Sequence, residues 1–276
     1  MKDCKVTCKY MDLPYNDSLM YKGYAFDNFK DWLNLKFLYH SLWKIEVKEL
    51  SKNKALQKEL GAKVAQMTEW GRGVFEPSFV YKAFCVRYSR ETIYLYPYEK
   101  CYHYCKNNPS AYEFIKPGAS DGVSVVERLM EGNNIAHPYT PPERGNRDLL
   151  AFQIVTLGEK PVQKAHELKE KGAYQDYFYW HGFCAAMTEA LAARVHSMVR
   201  LFLGVEHAHE QSIEKDFQQD FIGKRMSFGY EALPNIMEQN KILSLLKAKE
   251  IGITTTESGM LEPEYSTCAM ILTKNI

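Results

Sequence analysis

Apolar residues recur every three or four positions over two stretches near the start of the chain. Between Asp27 and Leu50 the stripe is Phe29, Trp32, Leu33, Leu35, Phe37, Leu38, Leu42 and Trp43. Between Lys54 and Trp70 it is Leu56, Leu60, Val64 and Met67. Such spacing puts side chains on one face of a helix, so both stretches are expected to be amphipathic helices. Gly71-Arg72-Gly73 is expected to end them. The pattern then becomes β-like, at Val74-Phe75, Phe79-Val80-Tyr81, Phe84-Cys85-Val86 and Thr92 to Tyr96. Leu149 to Leu157 reads as a buried strand.

Helical period then returns. Pro161 to Lys171 is a short helix ended by Gly172. From Tyr174 to Leu203, Phe183, Met187, Ala190, Leu191, Val195, Met198 and Phe202 share one face, and Gly204 stops the helix. A polar helix, His207 to Phe221, leads through Gly223 to Arg225-Met-Ser-Phe-Gly-Tyr230. Asn235 as N-cap, with Glu238 three residues on as its capping-box partner, starts a helix running to about Glu250. Tyr265 to Leu272 is a final strand. Residues 1–20 have no clear period and read as an N-terminal arm before one domain, 21–276. Pro97 to Glu143 reads as long loops with a short helix near Val123 to Glu131. The mixture gives an α+β class.

Composition narrows the picture. The chain has 276 residues, 46% apolar and 25% charged, which is ordinary globular usage. A net charge of +1 argues against a protein that coats nucleic acid. No run of 18 apolar residues exists, so no membrane span is expected. Met1 to Tyr10 is polar and basic, unlike a secretory signal. With no such signal, seven cysteines read as free thiols of a reducing, cytoplasmic compartment.

Candidate chemistry is sparse. In Arg225 to Tyr230 a cation stands beside a Gly turn and ahead of a helix start, an arrangement that holds carboxylates or phosphates; a plain loop is the competing reading. Gly71-Arg72-Gly73 carries Glu76 where a dinucleotide loop needs its third Gly, and it follows a helix, so a Rossmann reading fails. Cys101-Tyr-His-Tyr-Cys105, with Cys4 and Cys8, is weak as a zinc set beside unligated thiols. His207 and His209 diverge on a helix. His196 and Arg200 share a face opposite the apolar stripe, either solvated or offered to an anionic ligand. Asp31, near a helix start, reads alone as a dipole-friendly cap. No nucleophile–base order stands out.

The half from Asp148 to Ile271 resembles the activation (reactivation) domain of cobalamin-dependent methionine synthase. The resemblance is carried by the strand beginning Leu149-Leu-Ala-Phe, by Trp180-His181-Gly182, and by Glu189-Ala-Leu-Ala-Ala-Arg194-Val-His196-Ser-Met-Val-Arg200. Its specific pieces are Arg225-Met-Ser-Phe-Gly-Tyr230 through Pro234, with Gln239 following, and Thr256-Glu257-Ser258 through Pro263 and Ser266. Asp31-Trp32 and Arg72-Gly73-Val74 match more thinly.

The resemblance implies a curved antiparallel sheet with packed helices and a surface groove for S-adenosylmethionine (AdoMet). It implies Asp31 against the AdoMet amino group and Arg225 against its carboxylate. Ser227, Gly229 and Tyr230 would line the groove, and Glu257, Ser258 and Ser266 would lie near it or support it. Cobalamin would come only through a partner, the cobalamin-binding module, and the electron from a flavodoxin-type donor. Such a module would support reductive remethylation of cob(II)alamin in trans or in a split enzyme. A docking protein that has lost methyl donation is the alternative. The family often has Pro-Ala-Cys-Pro after Gly-Tyr, where this chain has Glu231-Ala-Leu-Pro234. Ala193 and Ser197 stand where many synthases are acidic. The sequence ends at Ile276, before a Tyr-bearing segment that normally covers part of the family's AdoMet site, so a more open site, or weakened or lost AdoMet binding, is expected.

Overall fold

A computed structural model describes residues 18–88, 93–97, 113–114, 148–202, 224–230 and 233–272. Its centre is a seven-stranded antiparallel sheet. The strands are β1 (Ser18–Tyr21), β2 (Ser78–Tyr88), β3 (Ile93–Pro97), β4 (Glu113–Phe114), β5 (Asp148–Thr156), β6 (Arg225–Ser227) and β9 (Ser266–Leu272), in the order β4-β3-β2-β5-β9-β6. The three short strands expected between Val74 and Val86 are largely one strand, because β2 has partners along its whole length. β5 runs along one side, and β1 then β3 share the other. A further pair, β7 (Thr254–Thr255) and β8 (Leu261–Glu262), forms a small sheet of its own.

Among the described residues six α-helices accompany the sheet: α1 (Leu35–Trp43), α2 (Val47–Leu50), α3 (Lys54–Val74), α4 (Lys160–Glu170), α5 (Tyr174–Phe202) and α6 (Gln239–Leu245). The sheet is buried on both faces. Phe79, Tyr81, Ala83, Ala151, Val155 and Ile271 join the core that holds Trp180, Phe183 and Met187 of α5. Val80, Phe84, Leu150, Phe152, Ile154 and Met270 turn the other way, against Ile242, Leu243 and Ile251. A strand covered on both sides has no polar face, so Leu149 to Leu157 is nearly continuous apolar sequence rather than alternating.

α5 is the pillar of the first core. Trp180 is fully buried and its indole Nε1 donates to the Pro161 carbonyl at 3.0 Å. Gln153 of β5, also fully buried, donates to the Ala192 carbonyl at 3.0 Å and ties sheet to helix. Gly182 is where α1 comes closest: a Cβ there would lie 2.2 Å from Leu42 Cδ2. α1 and α3 each start on an Asn cap, Asn34 accepting from the Phe37 N–H at 3.0 Å and Asn53 from Leu56 at 3.1 Å.

Several expectations change. The first helical stretch divides into two single 3-10 turns, Phe26–Asn28 and Lys30–Trp32, then α1 and α2. Gly71 and Gly73 lie inside α3 instead of ending it. Neither has positive φ, and Gly71 is kept small by the Phe75 ring, 2.7 Å from where a Cβ would stand. His196 and Arg200 are 3% and 1% exposed, so they lie on no solvated face; this part of α5 is enclosed all round. Asn235 caps as expected, accepting from the Met237 N–H at 3.1 Å. Glu238 binds Lys241 at 2.6 Å instead of completing a capping box. The helix after it is broken into a 3-10 turn (Ile236–Glu238), α6 and a second 3-10 turn (Ala248–Ile251). Of the N-terminal arm, residues 1–17 lie outside the described residues, and Ser18 to Met20 pair with β2. The His207–Phe221 helix, the Val123–Glu131 helix and the Cys4, Cys8, Cys101, His103 and Cys105 set also lie outside them. Among the described residues no helix is long and apolar enough to cross a membrane.

Candidate functional site

The sequence motif at Arg225 begins as a strand. Arg225 and Ser227 pair with Ile271 and Ala269 of β9, at the edge of the sheet. Strand alternation sends Arg225 toward α5 and Met226 into the second core. The Arg225 guanidinium Nη2 donates to Glu189 Oε2 of α5 at 2.5 Å, with the Arg side chain 11% exposed. The chain then turns at Gly229, whose φ of 84° favours glycine. Gly229 N donates to the Leu233 carbonyl at 2.7 Å, and Leu233 N to Tyr230 at 2.9 Å, leaving the Tyr230 ring 72% exposed.

A second turn faces the first. After β7, Thr256 N donates to the Met260 carbonyl at 2.8 Å and Gly259 N to Thr256 at 3.0 Å; Gly259 has φ 84°. The Thr256 and Ser258 hydroxyls lie 2.9 Å apart, and the Thr256 hydroxyl accepts from Met260 N at 3.1 Å. Ile236, in the 3-10 turn before α6, touches both turns. A Cβ on Gly229 would be 3.5 Å from Ile236 Cδ1, and one on Gly259 3.3 Å from Ile236 Cγ2. The Gln239 side-chain amide donates to the Gly259 carbonyl, and Asn240 accepts from the Thr255 hydroxyl at 2.8 Å. Two segments far apart in sequence are thus held side by side by one short helical element.

Between them lies a groove of about 900 Å³, a volume suited to a nucleoside-sized ligand. Ser227, Gly229 and Tyr230 line one side, with Ile236 and Gln239 beside them. Thr256, Met260 and Leu261 come from the second turn and β8. The lining also takes in Glu159, Val162 and His166 of the α4 region, with Glu262, Glu264 and Ser266. Among the described residues its lining holds three carboxylates and no lysine or arginine. Ser266 is turned to the sheet, its hydroxyl donating to Thr156 Oγ1 at 2.9 Å.

Of the residues singled out in the sequence, Ser227, Gly229, Tyr230 and Ser266 line this groove. Arg225 stands one strand step back, on Glu189. Glu257 and Ser258 are exposed at the tip of the second turn, between Thr256 and Met260, which do line the groove. Asp31 is exposed on the 3-10 turn Lys30–Trp32, which packs on α5 where the Arg194 guanidinium lies 5.8 Å from the Trp32 ring. It is not among the groove residues. Sequence reasoning missed Glu189, Glu159 and His166, since a carboxylate or imidazole on an amphipathic helix looks like any solvated charge until its neighbours are known.

The surroundings are structurally tied rather than reactive. The Tyr265 hydroxyl meets His181 Nδ1 at 3.2 Å. Burial pushes the Tyr265 phenol up, helped by Cys184, Glu264 and Tyr177. Burial also pushes the Cys184 thiol well up, so neither is a nucleophile at neutral pH. Among the described residues no group of three His, Cys, Asp or Glu is placed to hold a metal. The site can bind and orient a ligand.

Comparison with known proteins agrees with this geometry. A family described as "Vitamin B12 dependent methionine synthase, activation domain" matches residues 132–275. Methionine synthase of Mycobacterium tuberculosis is 38% identical over 136 residues, and that of Mycobacterium leprae 35% identical over 136 residues. Each match takes in 47% of this chain and 11% of the relative, so the chain spans a small part of these relatives' length. In fold it is similar to the MetH reactivation domain, solved bound to AdoHcy, with a TM-score of 0.69 and 16% identity over 93% of this chain and 78% of that one. At that coverage the likeness of fold takes in the N-terminal helices, where the sequence resemblance is thin. The match of more than half the chain decides the matter: the protein belongs to the activation-domain family of vitamin B12-dependent methionine synthase.

Proposed function

We propose that the protein binds AdoMet along the β6 edge and presents it for reductive remethylation of cobalamin held by a cobalamin-binding module. The observation that carries the reading is the pairing of the two glycine turns by Ile236, which makes one groove from both segments of the family motif. The adenosyl group lies in that groove. The amino-acid tail runs back along α5, with Arg225 against its carboxylate and Asp31 against its amino group. The planar fork of a guanidinium matches a carboxylate. Ser227, Gly229 and Tyr230 contact the adenosyl end, and Glu257 and Ser258 shape the opposite wall. AdoMet supplies the methyl and leaves as the neutral thioether AdoHcy. One electron is supplied by a flavodoxin-type donor and the corrinoid by the partner module, either in trans or within a split enzyme. The chain's own contribution is placement and exclusion of water.

Titration calorimetry tests the reading. The protein is expected to bind AdoMet and AdoHcy, and Arg225→Ala to weaken both by roughly 2–4 kcal/mol, the range for removing one partner of a desolvated charge pair. Absence of binding at millimolar AdoMet, with Arg225→Ala indistinguishable from the parent, would leave a docking protein that has lost methyl donation.

A further inference from the structure

Gln239 is the one groove residue whose side chain is both almost wholly buried, at 3% exposure, and an uncharged amide. Its nitrogen donates to the Gly259 carbonyl. That bond fixes which end of the amide is which, because a carbonyl can only accept. The amide oxygen accepts no hydrogen bond from any described residue. An oxygen so placed, beside a groove and held by its own anchored nitrogen, is a preorganised acceptor. Ile236, Phe228, Met260 and Leu261 line the groove with it, as do Glu159, Glu262 and Glu264. A fixed, uncharged acceptor beside these apolar side chains suits the flat ring of a purine carrying an N–H donor at its edge.

We propose that Gln239 is a specificity residue that accepts a hydrogen bond from the exocyclic amine of the bound adenine. The inference rests on the AdoMet reading above and names the part of the ligand that Gln239 selects. A site built to hydrogen-bond a donor rejects an analogue lacking it, because the buried acceptor is then left facing an oxygen. Anchoring to Gly259 also makes Gln239 the positioning residue of the second turn, so loss of the amide and loss of the turn need separating.

The experiment compares S-adenosyl-L-homocysteine with S-inosyl-L-homocysteine, in which a carbonyl replaces the amine, by calorimetry on the full chain. The parent is expected to prefer the adenosyl ligand by about tenfold or more, equivalent to one good hydrogen bond. Gln239→Leu is expected to weaken the adenosyl ligand and bring the two ligands within about threefold of each other, at a melting temperature followed in parallel. A purely structural role would weaken both ligands together and keep their ratio. A parent that binds the two equally well, while Arg225→Ala abolishes both, overturns the role of Gln239 and leaves the AdoMet reading standing. The comparison of the two ligands on the parent needs no variant to fold. A parent that binds neither ligand overturns both. A folded Gln239→Leu protein that keeps the full preference also overturns the proposal.

Discussion

At the scale of single residues, Glu189 of α5 anchors Arg225 at the edge of the sheet. The guanidinium is almost wholly buried at the sheet edge, and a carboxylate on α5 holds it at 2.5 Å. Without that partner the cation would be costly to keep there. Gly182 has a comparable role in packing. It lets α1 approach α5 so closely that an added methyl would stand 2.2 Å from Leu42 Cδ2 and 3.1 Å from Leu42 Cγ. Gly182→Ala therefore forces the helices apart or Leu42 off its rotamer. The expected cost is about 1–3 kcal/mol, the range for overpacking a filled interior. Thermal denaturation should show it as a drop of several degrees, since about 1 kcal/mol moves the melting temperature by about 2–4 °C in a domain of roughly this size. An unchanged melting temperature would mean that the α1–α5 contact yields freely.

At the scale of elements, the 3-10 turn Ile236–Glu238 sets the groove width, and Asn235 caps it. Asn235→Ala is expected to cost about 1 kcal/mol. Since Ile236 leans on both glycine turns, the loss should be felt there: amide exchange at Gly229 and Gly259 is expected to quicken by about fivefold. Asn53→Ala removes the same kind of cap from α3, with a similar cost, and should leave those two amides unchanged. Equal effects of the two variants at Gly229 and Gly259 would remove the bracket role. Such elements also mark how far the sequence could be read. α3, α4 and α5 were legible because each has a strong period and a buried face, and β5 because it is a continuous apolar run. The motif at Arg225–Tyr230 was legible as a chemical site because charge and glycine stand together. β7 and β8 are two residues each, too short for any period, and exist because the turn between them is hydrogen-bonded. The burial of His196 and Arg200 was illegible for another reason. A polar pair opposite an apolar stripe normally faces water, and only tertiary packing around α5 encloses it.

For the whole molecule, both cores carry ionisable groups in their neutral form, and this shapes stability at high pH. Cys184 sits in the helix-side core and Cys268 in the core across the sheet, and burial raises both thiols above the ordinary 9.0. Tyr265, raised from 10.0, lies beside Cys184. A group whose folded pKa is raised favours the protonated fold. Its stabilisation is complete below the unfolded pKa and is lost as pH climbs from there toward the folded value. Alkaline unfolding should therefore set in near pH 9. Asp27 works at the opposite end: hydrogen bonds from Lys30 and Arg72 lower its carboxyl below 3.8, so its small, solvent-screened contribution is present above that value and fades as pH falls below it. Between these limits the fold is flat in pH as far as these four groups are concerned. Urea unfolding from pH 8 to 10.5 measures the alkaline arm. Each buried thiol steepens the fall by up to about 1.4 kcal/mol per pH unit above its unfolded pKa. The Cys184→Ala/Cys268→Ala double variant is expected to start less stable at pH 8, having lost packed sulfur atoms, yet to fall less steeply above pH 9. Parallel curves for parent and variant would show that these thiols ionise in the folded protein as readily as in the unfolded one, which their enclosure in two separate cores forbids.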